Sequence, residues 1–468
     1  MSENQSPNRA DPRRGDALRN RERILGAAQR LLQHSPSATL ADIAAAAGLS
    51  RSTLYRHFAD RDQMIAEISR RPRSPSPDQV DHLLPAGQMG RDRPVSLDAI
   101  QVFDVVPPAL LPEQLVAEAQ RIAGVPVALY VLDIDGTHLL RIAGPQRSPE
   151  QIETPLAVGP ELDADGLSDL RQYLRKFPGT QTFPLWLRGR AIGVMIAFGR
   201  PTQSLLEMAR QAAAAVTLAD RYTDAFARAQ RREQPKAAAE IQQSLLPPRI
   251  ARITGGEVAG NVLPSYEVAG DWFDVIENAD GVWITLADGL GGSTPAAASS
   301  AVALGALRAS RRSGADITES LVVMHRTLRE MPGPRAEMTA VVARWDSSTS
   351  EVRIANCGHV APIVLRGDGS VERFRFPKGR GLGGRASPKP IERRSSLRPG
   401  DRLLMVSDGV VKSGKGRAGL GVKGLIATAL RSERQTAAAT VREVHLAVLD
   451  ASDGELEDDA TAVCLSVG

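Results

Sequence analysis

Val268-Ala-Gly-Asp-Trp-Phe-Asp274 and Ile284-Thr-Leu-Ala-Asp-Gly-Leu-Gly-Gly292 share one local design. Each carries an aspartate, Asp271 or Asp288, at the end of an apolar strand-like run or in a Gly-flanked turn. Two later stretches repeat it. Leu403-Leu-Met-Val-Ser-Asp-Gly409 presents Asp408, and Asp458-Asp459 precede Ala460-Thr-Ala-Val-Cys-Leu465. Strand ends meet on one rim of a sheet, so these carboxylates can converge in space. Hard divalent cations take oxygen ligands, and carboxylates with water suit Mg2+ or Mn2+. A glycine after the aspartate lets its own carbonyl approach such an ion closely. Taken singly, an Asp-Gly pair is a turn, and Asp135-Gly136, Asp280-Gly281 and Asp453-Gly454 are read as such.

Around these motifs, residues 237–468 alternate strand-like runs with Gly-rich turns. The strands are expected at Val282 to Leu286, Ala340 to Arg344, Val352 to Asn356, Ile363 to Leu365, Arg402 to Val406 and Thr461 to Val467. Helical spacing marks Pro295 to Ser313 and Ile317 to Glu330. A short helix from Ala237 to Leu246 stops at Pro247-Pro248. Upstream, residues 203–236 form a linker helix interrupted at Pro235. Its stripe of Leu206, Met208, Ala212, Val216, Ala219, Tyr222 and Phe226 is suited to pairing with its copy in a homodimer.

Residues 97–202 read as a mixed α+β domain. Leu111 to Ala123 is helical. Val127 to Ile134 and Leu139 to Ile142 are strands about Asp135-Gly136, and a second apolar pair flanks Arg188-Gly189-Arg190. Residues 71–96 are a linker with prolines at 72, 75, 77, 85 and 94, and residues 1–16 are a polar, disordered tail. Between them, residues 17–70 give a helix-turn-helix layout. Leu18 to Leu32 is amphipathic, Thr39 caps a helix to Ala47, Gly48-Leu49-Ser50 turns, and Ser50 caps a third helix. That helix carries Arg51, Ser52, Thr53, Tyr55, Arg56 and His57, side chains suited to phosphates and base edges.

Charge and cysteine usage agree with this division. The net charge is +4 over 468 residues, and residues 1–75 alone carry 13 Arg against 8 acidic residues. A basic head on a near-neutral body suggests a polyanion partner such as duplex DNA. Cys357 and Cys464 lie far apart with no ligand spacing and are expected as buried thiols in a cytoplasmic protein. No apolar run is long enough to span a bilayer, so no membrane partner is expected.

Residues 237–468 resemble the SpoIIE/RsbU-like branch of the type 2C metal-dependent protein phosphatases. The carrying segments are Ile241-Gln-Gln-Ser-Leu-Leu-Pro-Pro248, Gly270-Asp-Trp-Phe-Asp274, Ala287-Asp-Gly289, Asn356-Cys-Gly-His-Val-Ala-Pro362, Arg398-Pro-Gly-Asp-Arg-Leu-Leu404, Ser407-Asp-Gly409 and Asp458-Asp-Ala-Thr461. The resemblance implies an αββα sandwich, two Mn2+ or Mg2+ ions at one edge, and hydrolysis of phosphoserine or phosphothreonine by water activated between them. Carried over by position, Asp288 serves both ions, Asp271 and the Gly289 carbonyl serve one, and Asp408 and Asp458 the other. Asp288 and Asp408 are thus the expected catalytic pair. Asp274 and Asp459 receive outer roles only, and His359 is read as capping a turn. Gly291-Gly292-Ser293 replaces the family's Gly-His-Gly, which puts full activity in doubt.

Residues 17–70 resemble the DNA-binding domain of TetR-type repressors, through Arg23-Ile-Leu-Gly-Ala-Ala28, Thr39-Leu-Ala-Asp-Ile-Ala44 and Gly48-Leu-Ser-Arg-Ser-Thr-Leu-Tyr-Arg-His-Phe58. Residues 97–202 resemble a GAF-type sensor, chiefly through Phe183 to Met195. The expected protein is multidomain, with an all-α head, an α+β sensor and an α/β phosphatase. By resemblance its substrate is a phosphoprotein such as an anti-sigma-factor antagonist. The alternative is a DNA-binding regulator whose phosphatase domain is an inactive scaffold.

Overall fold

The structure, a computed structural model, describes residues 24, 27, 28, 39–49, 53, 54 and 58, and residues 106–468 except 265, 267–269, 292, 293, 333–335, 378, 415–418, 433 and 434. The chain divides into two units, residues 1–88 and 89–468.

In the first unit, helix α1 spans Leu40–Ala46 and starts in a capping box. The Thr39 hydroxyl accepts from the Asp42 amide at 3.3 Å, and the Asp42 carboxylate accepts from the Thr39 amide at 2.8 Å. Two N–H groups that have no partner within the helix are thereby satisfied. Gly48, at φ +64, ends the helix, and the Leu49 amide returns to the Ala44 carbonyl at 3.0 Å, which is how a left-handed glycine closes a helix C-terminus. Ile24, Ala27, Ala28, Ile43, Ala44, Ala47, Leu54 and Phe58 form one buried cluster. Thr53 is half-buried. Arg51, Ser52, Tyr55, Arg56 and His57 lie outside the described residues.

The second unit begins with α2 (Leu111–Ala123), β1 (Val127–Leu132), β2 (His138–Ala143), β3 (Gln151–Glu153), α3 (Ala164–Leu174), β4 (Thr180–Leu187), β5 (Arg190–Phe198), α4 (Leu206–Ala219) and α5 (Ala225–Ala229). The strands form an antiparallel sheet in the order β3-β2-β1-β5-β4. Central β1 is apolar throughout because both its faces are covered. Val127 and Leu129 join α2 and α4 on one side, while Ala128, Tyr130 and Leu132 join α3 on the other, as the two-residue period of a strand requires. Arg188 (φ +48) and Gly189 (φ +88) make the tight β4–β5 turn.

The linker helix expected over 203–236 is not continuous. It stops at Ala219, and a turn leads into the short α5. Most of its apolar stripe is buried within its own domain. Met208, Ala212, Val216, Ala219 and Phe226 are buried against α2 and the sheet of their own domain. The helical spacing was there, but intramolecular burial claimed most of the face; of the large hydrophobic side chains on this segment, Leu218 and Tyr222 are exposed, at 66% and 80%.

Next come α6 (Ala237–Leu245), β6 (Ile250–Ile253), β7 (Gly256–Leu263), β8 (Trp272–Asn278), β9 (Gly281–Gly289), α7 (Thr294–Arg312), α8 (Ile317–Glu330), β10 (Met338–Asp346), β11 (Glu351–Cys357), β12 (Ile363–Leu365), β13 (Val371–Arg373), β14 (Ile391–Ser396), β15 (Arg402–Val406), α9 (Asp408–Lys412), α10 (Gly421–Arg431), α11 (Ala437–Ala451) and β16 (Ala460–Val467). They build two sheets, β14-β11-β10-β9-β8 and β13-β12-β15-β16-β7-β6. Phe273, Ile284, Leu286, Val341 and Ile354 of the first face Val258, Val262, Leu403, Met405 and Val463 of the second. α7 and α8 cover the outer face of the first through Leu304, Leu307, Leu321 and Met324. α10 and α11 cover the second through Leu425, Val441, Val444 and Val448.

Charged residues join the middle domain to this region. Arg190 and Glu161 pair at 3.0 Å with both side chains 10% exposed, and Glu161 accepts from the Ile250 amide at 2.8 Å. Asp163 pairs with Arg442. Cys357 and Cys464 are buried free thiols, both pushed up to about 12 by burial. Asp280-Gly281 and Asp453-Gly454 are turns, as expected. Among the described residues no helix is long and apolar enough to cross a membrane.

Candidate metal centre

Four strand ends deliver the acidic residues to one edge. β9 ends on Asp288 and Gly289, and neighbouring β8 starts just after Gly270 and Asp271, with Trp272 opposite Ala287. In the other sheet β15 ends at Val406, and Asp408 opens α9 two residues later. β16 starts just after Asp458 and Asp459, with Ala462 opposite Val406.

These carboxylates lie close enough to influence one another's ionisation. Asp288 feels the charges of Asp408, Asp458 and Asp459, and Asp271 feels those of Asp459 and Asp288. Burial, then Asp459 and Asp288, holds the Asp271 carboxyl well above the usual range. Burial, then Asp408, pushes Asp288 up to about 6. Burial also raises Asp458. Buried carboxylates crowding one another disfavour their own ionisation, and a multivalent cation reverses that penalty. Lys412, one helical turn from Asp408 and paired with it, also feels Asp458 and Asp288.

Asp459 is the residue that sequence reasoning undervalued. Its side chain is buried, and one oxygen accepts from the Gly270 amide at 2.8 Å, the Asp271 amide at 3.0 Å and Gln242 Nε2 at 2.7 Å. The other oxygen, Oδ1, is buried with no hydrogen-bond partner. Burial pushes this carboxyl up to about 6 against those donors. Gln242 of α6 also donates to the Asp271 carbonyl at 2.9 Å. One amide thus ties α6 to both Asp271 and Asp459. The adjacent acids Asp458 and Asp459 gave no sign of which one turns inward, because that depends on where the pleat of β16 begins.

Smaller residues shape the edge. A Cβ on Gly270 would stand 2.4 Å from the Gly289 carbonyl oxygen, and one on Gly409 would stand 2.2 Å from the Asp459 carbonyl. Ser300 of α7 donates to the Gly270 carbonyl at 2.8 Å, and Thr461 donates to the Asp271 carboxylate. Asp274 turns away from the site and pairs with Arg308 at 3.0 Å and Arg311 at 2.9 Å on α7. His359 sits in the expected turn, where the Asn356 side chain bonds its amide and carbonyl at 2.9 and 3.0 Å. Burial holds its imidazole at about 4, so it is neutral near pH 7. Gly291 is in the left-handed region at φ +98, while Gly292 and Ser293 lie outside the described residues.

The donor chemistry fits divalent ions, with hard oxygens from four aspartates, the Gly289 carbonyl at the same edge and an unsatisfied buried oxygen on Asp459. As they stand, no three of these groups among the described residues are close enough to hold one ion together.

Residues 278–468 match the family model for stage II sporulation protein E (SpoIIE), and residues 24–68 match that for bacterial regulatory proteins of the tetR family. Over 228 residues the chain is 21% identical to phosphoserine phosphatase RsbU of Bacillus subtilis, covering 49% of this chain and 68% of that protein. Over 56 residues it is 43% identical to the HTH-type transcriptional repressor LfrR of Mycolicibacterium smegmatis, covering 12% of this chain and 30% of the repressor. The PP2C domain of SiaA from Pseudomonas aeruginosa superposes with a TM-score of 0.43 at 19% identity, covering 49% of this chain and 94% of that domain. The chain thus spans less than a third of the length of the repressor it matches. Residues 278–468 thus carry a SpoIIE-family match together with similarity to a phosphoserine phosphatase, and residues 24–68 of the same chain carry a tetR-family match.

Proposed function

We propose that the chain is a metal-dependent phosphoserine/phosphothreonine protein phosphatase carrying a DNA-binding head and a GAF-like sensor. The observation that carries this reading is the meeting of Asp271, Asp288, Asp408 and Asp458 at one edge of two sheets. Two divalent ions held there would supply a water of lowered pKa and offset charge on the phosphoryl oxygens. The chain's own part is positional. Asp459 fixes the Gly270–Asp271 backbone through two amides, Gly270 keeps space for the Gly289 carbonyl, and His359, neutral and buried, supports the turn beside Asp408. The layers of helices, sheet, sheet and helices agree with the sandwich that the resemblance implies. The substrate class is a phosphoprotein such as an anti-sigma-factor antagonist. The test is phosphate release from phosphoserine and phosphothreonine proteins by the full chain. Release is expected with Mn2+ and lost with EDTA; no release with Mn2+ would support the inactive-scaffold reading.

α6 is read as the coupling element. Gln242 bonds both Asp459 and the Asp271 carbonyl, and Leu245 and Leu246 sit half-buried against the core under α7. Replacing Leu245 and Leu246 by polar residues is expected to change the full chain's rate or Mn2+ requirement more than its melting temperature. Equal rate and metal affinity in the fragment 237–468, the full chain and the substituted chain would remove that role.

The head is read as a duplex-DNA binder through Arg51, Ser52, Thr53, Tyr55, Arg56 and His57. Arg51→Ala with Arg56→Ala is expected to weaken DNA binding by about tenfold at low salt and to flatten its salt dependence, since each lost phosphate contact removes about one unit of slope. Unchanged affinity and slope in a filter-binding or anisotropy titration would leave the head as a docking module.

A further inference from the structure

Residues 371–398 carry nine Arg and Lys against two Glu, a net of +7 within a chain whose total is +4. The remainder of the protein is therefore net acidic, and this one segment holds a strong local excess of positive charge. Arg373, Arg375, Arg380, Arg385 and Lys389 are exposed, and none of them forms an ion pair among the described residues. Unlike these, Arg394 nearby is tied to Glu392 at 2.8 Å.

The segment also lies beside the carboxylate edge. Leu382 exchanges backbone hydrogen bonds of 3.2 and 2.7 Å with Met338, the first residue of β10. Met338 is in turn paired with Gly289 at the end of β9. Two strand spacings, about 10 Å, thus separate the Leu382 backbone from Gly289. Arg380 lies two residues before Leu382 and packs its backbone against Gly358, one residue from His359. An extended arginine side chain bridges much of that span.

We propose that the exposed Arg373, Arg375, Arg380, Arg385 and Lys389 bind acidic residues flanking the phosphorylated residue of a protein substrate. The inference rests on the phosphatase reading for what sits in the site, and adds the chemistry of what surrounds it. Placement favours a peptide over a nucleic acid. The neighbouring Asp288, Asp408 and Asp458 repel a uniformly charged backbone, whereas an acidic phosphopeptide sets its flanks on the arginines and one phosphate at the metal edge. Unpaired surface arginines steer such a partner and fix its register.

The experiment uses the full chain with Mn2+ and labelled, non-hydrolysable phosphonate analogues of phosphoserine peptides with acidic, neutral or basic flanks. Fluorescence anisotropy is expected to give at least about tenfold tighter binding for the acidic flanks, a difference that shrinks with salt. Arg373→Gln, Arg375→Gln, Arg380→Gln and Arg385→Gln combined should erase that preference, and Arg380→Glu alone should reduce it. Circular dichroism and melting verify that each variant is folded. With hydrolysable phosphoserine peptides in place of the analogues, the combined variant should raise KM for the acidic phosphopeptide about tenfold more than for the neutral one. Equal binding of all three peptides by the unaltered protein overturns the proposal. So does a preference that survives in both variants, or a loss of duplex-DNA affinity in the combined variant as large as the loss for the acidic peptide. If the peptide preference follows expectation but no peptide is hydrolysed with Mn2+, the phosphatase reading falls and the binding surface stands.

Discussion

Asp288→Ala and Asp408→Ala are each expected to lower Mn2+-dependent phosphate release by on the order of a thousandfold, about 4 kcal/mol of barrier. Asp288 lies where the fields of Asp408, Asp458 and Asp459 overlap, at the end of β9. Removing it takes charge from the middle of the site rather than its rim. Asp408 opens α9 on the other sheet, so its loss withdraws the contribution of that half. Burial and the neighbouring carboxylates already raise the Asp288 carboxyl, so its removal relieves repulsion and melting of the metal-free protein should not fall. Steady-state rates at saturating Mn2+, beside melts in EDTA, separate the two effects. Rates within a few-fold of the unaltered chain would mean that neither residue holds an ion.

Arg190→Ala is expected to destabilise the second unit by about 3–5 kcal/mol, the cost typical of removing one partner from a buried pair. Arg190 and Glu161 stand 3.0 Å apart, and the Arg190 Nε proton is not aimed at the carboxylate, so the contact is chiefly Coulombic. Glu161 also receives the Ile250 amide at the start of β6, so the loss strikes the junction between middle domain and phosphatase. Burial already raises the Glu161 carboxyl, and Arg190 is the largest opposing influence. Without Arg190, only Arg249 and the backbone amides still favour the charged Glu161, so its carboxyl is raised further. The deficit should therefore be largest at high pH and shrink as pH falls toward the raised Glu161 value. Glu161→Gln added to Arg190→Ala should recover part of it. Chemical denaturation at pH 6 and pH 8 measures both, and an effect of the same size at the two pH values would contradict the assignment.

Much of this was legible from residue patterns. The span Leu111–Ala123 has a helical apolar face and a glycine beyond its end, and it forms that helix. Ile317–Glu330 is helical as the spacing predicts, with Asp316 and Glu319 closing a capping box. Thr39 caps α1 by the same device. The aspartates at the strand ends converge because strand ends do. Other parts were hidden for physical reasons. α11 has nine buried residues among its fifteen, rich in alanine and valine, so no polar face marks its period. β8 buries its first three residues and exposes its last three, which breaks the alternation that identifies a strand. The break after Ala219 was invisible because Tyr222 and Phe226 continue the helical spacing; it is Phe226's return to the domain core that sets the turn. The burial of Asp459 depended on Gly270, Asp271 and Gln242, residues 188 to 217 positions away in the chain.

Equilibrium dialysis of Mn2+ against the full chain measures joint binding of divalent ions by the four aspartates without reference to any substrate. Two ions per chain are predicted for the unaltered protein, no more than one for Asp408→Asn, and none held tightly by Asp288→Asn. Absence of stoichiometric Mn2+ in the unaltered protein, or the same two ions in all three, would contradict it.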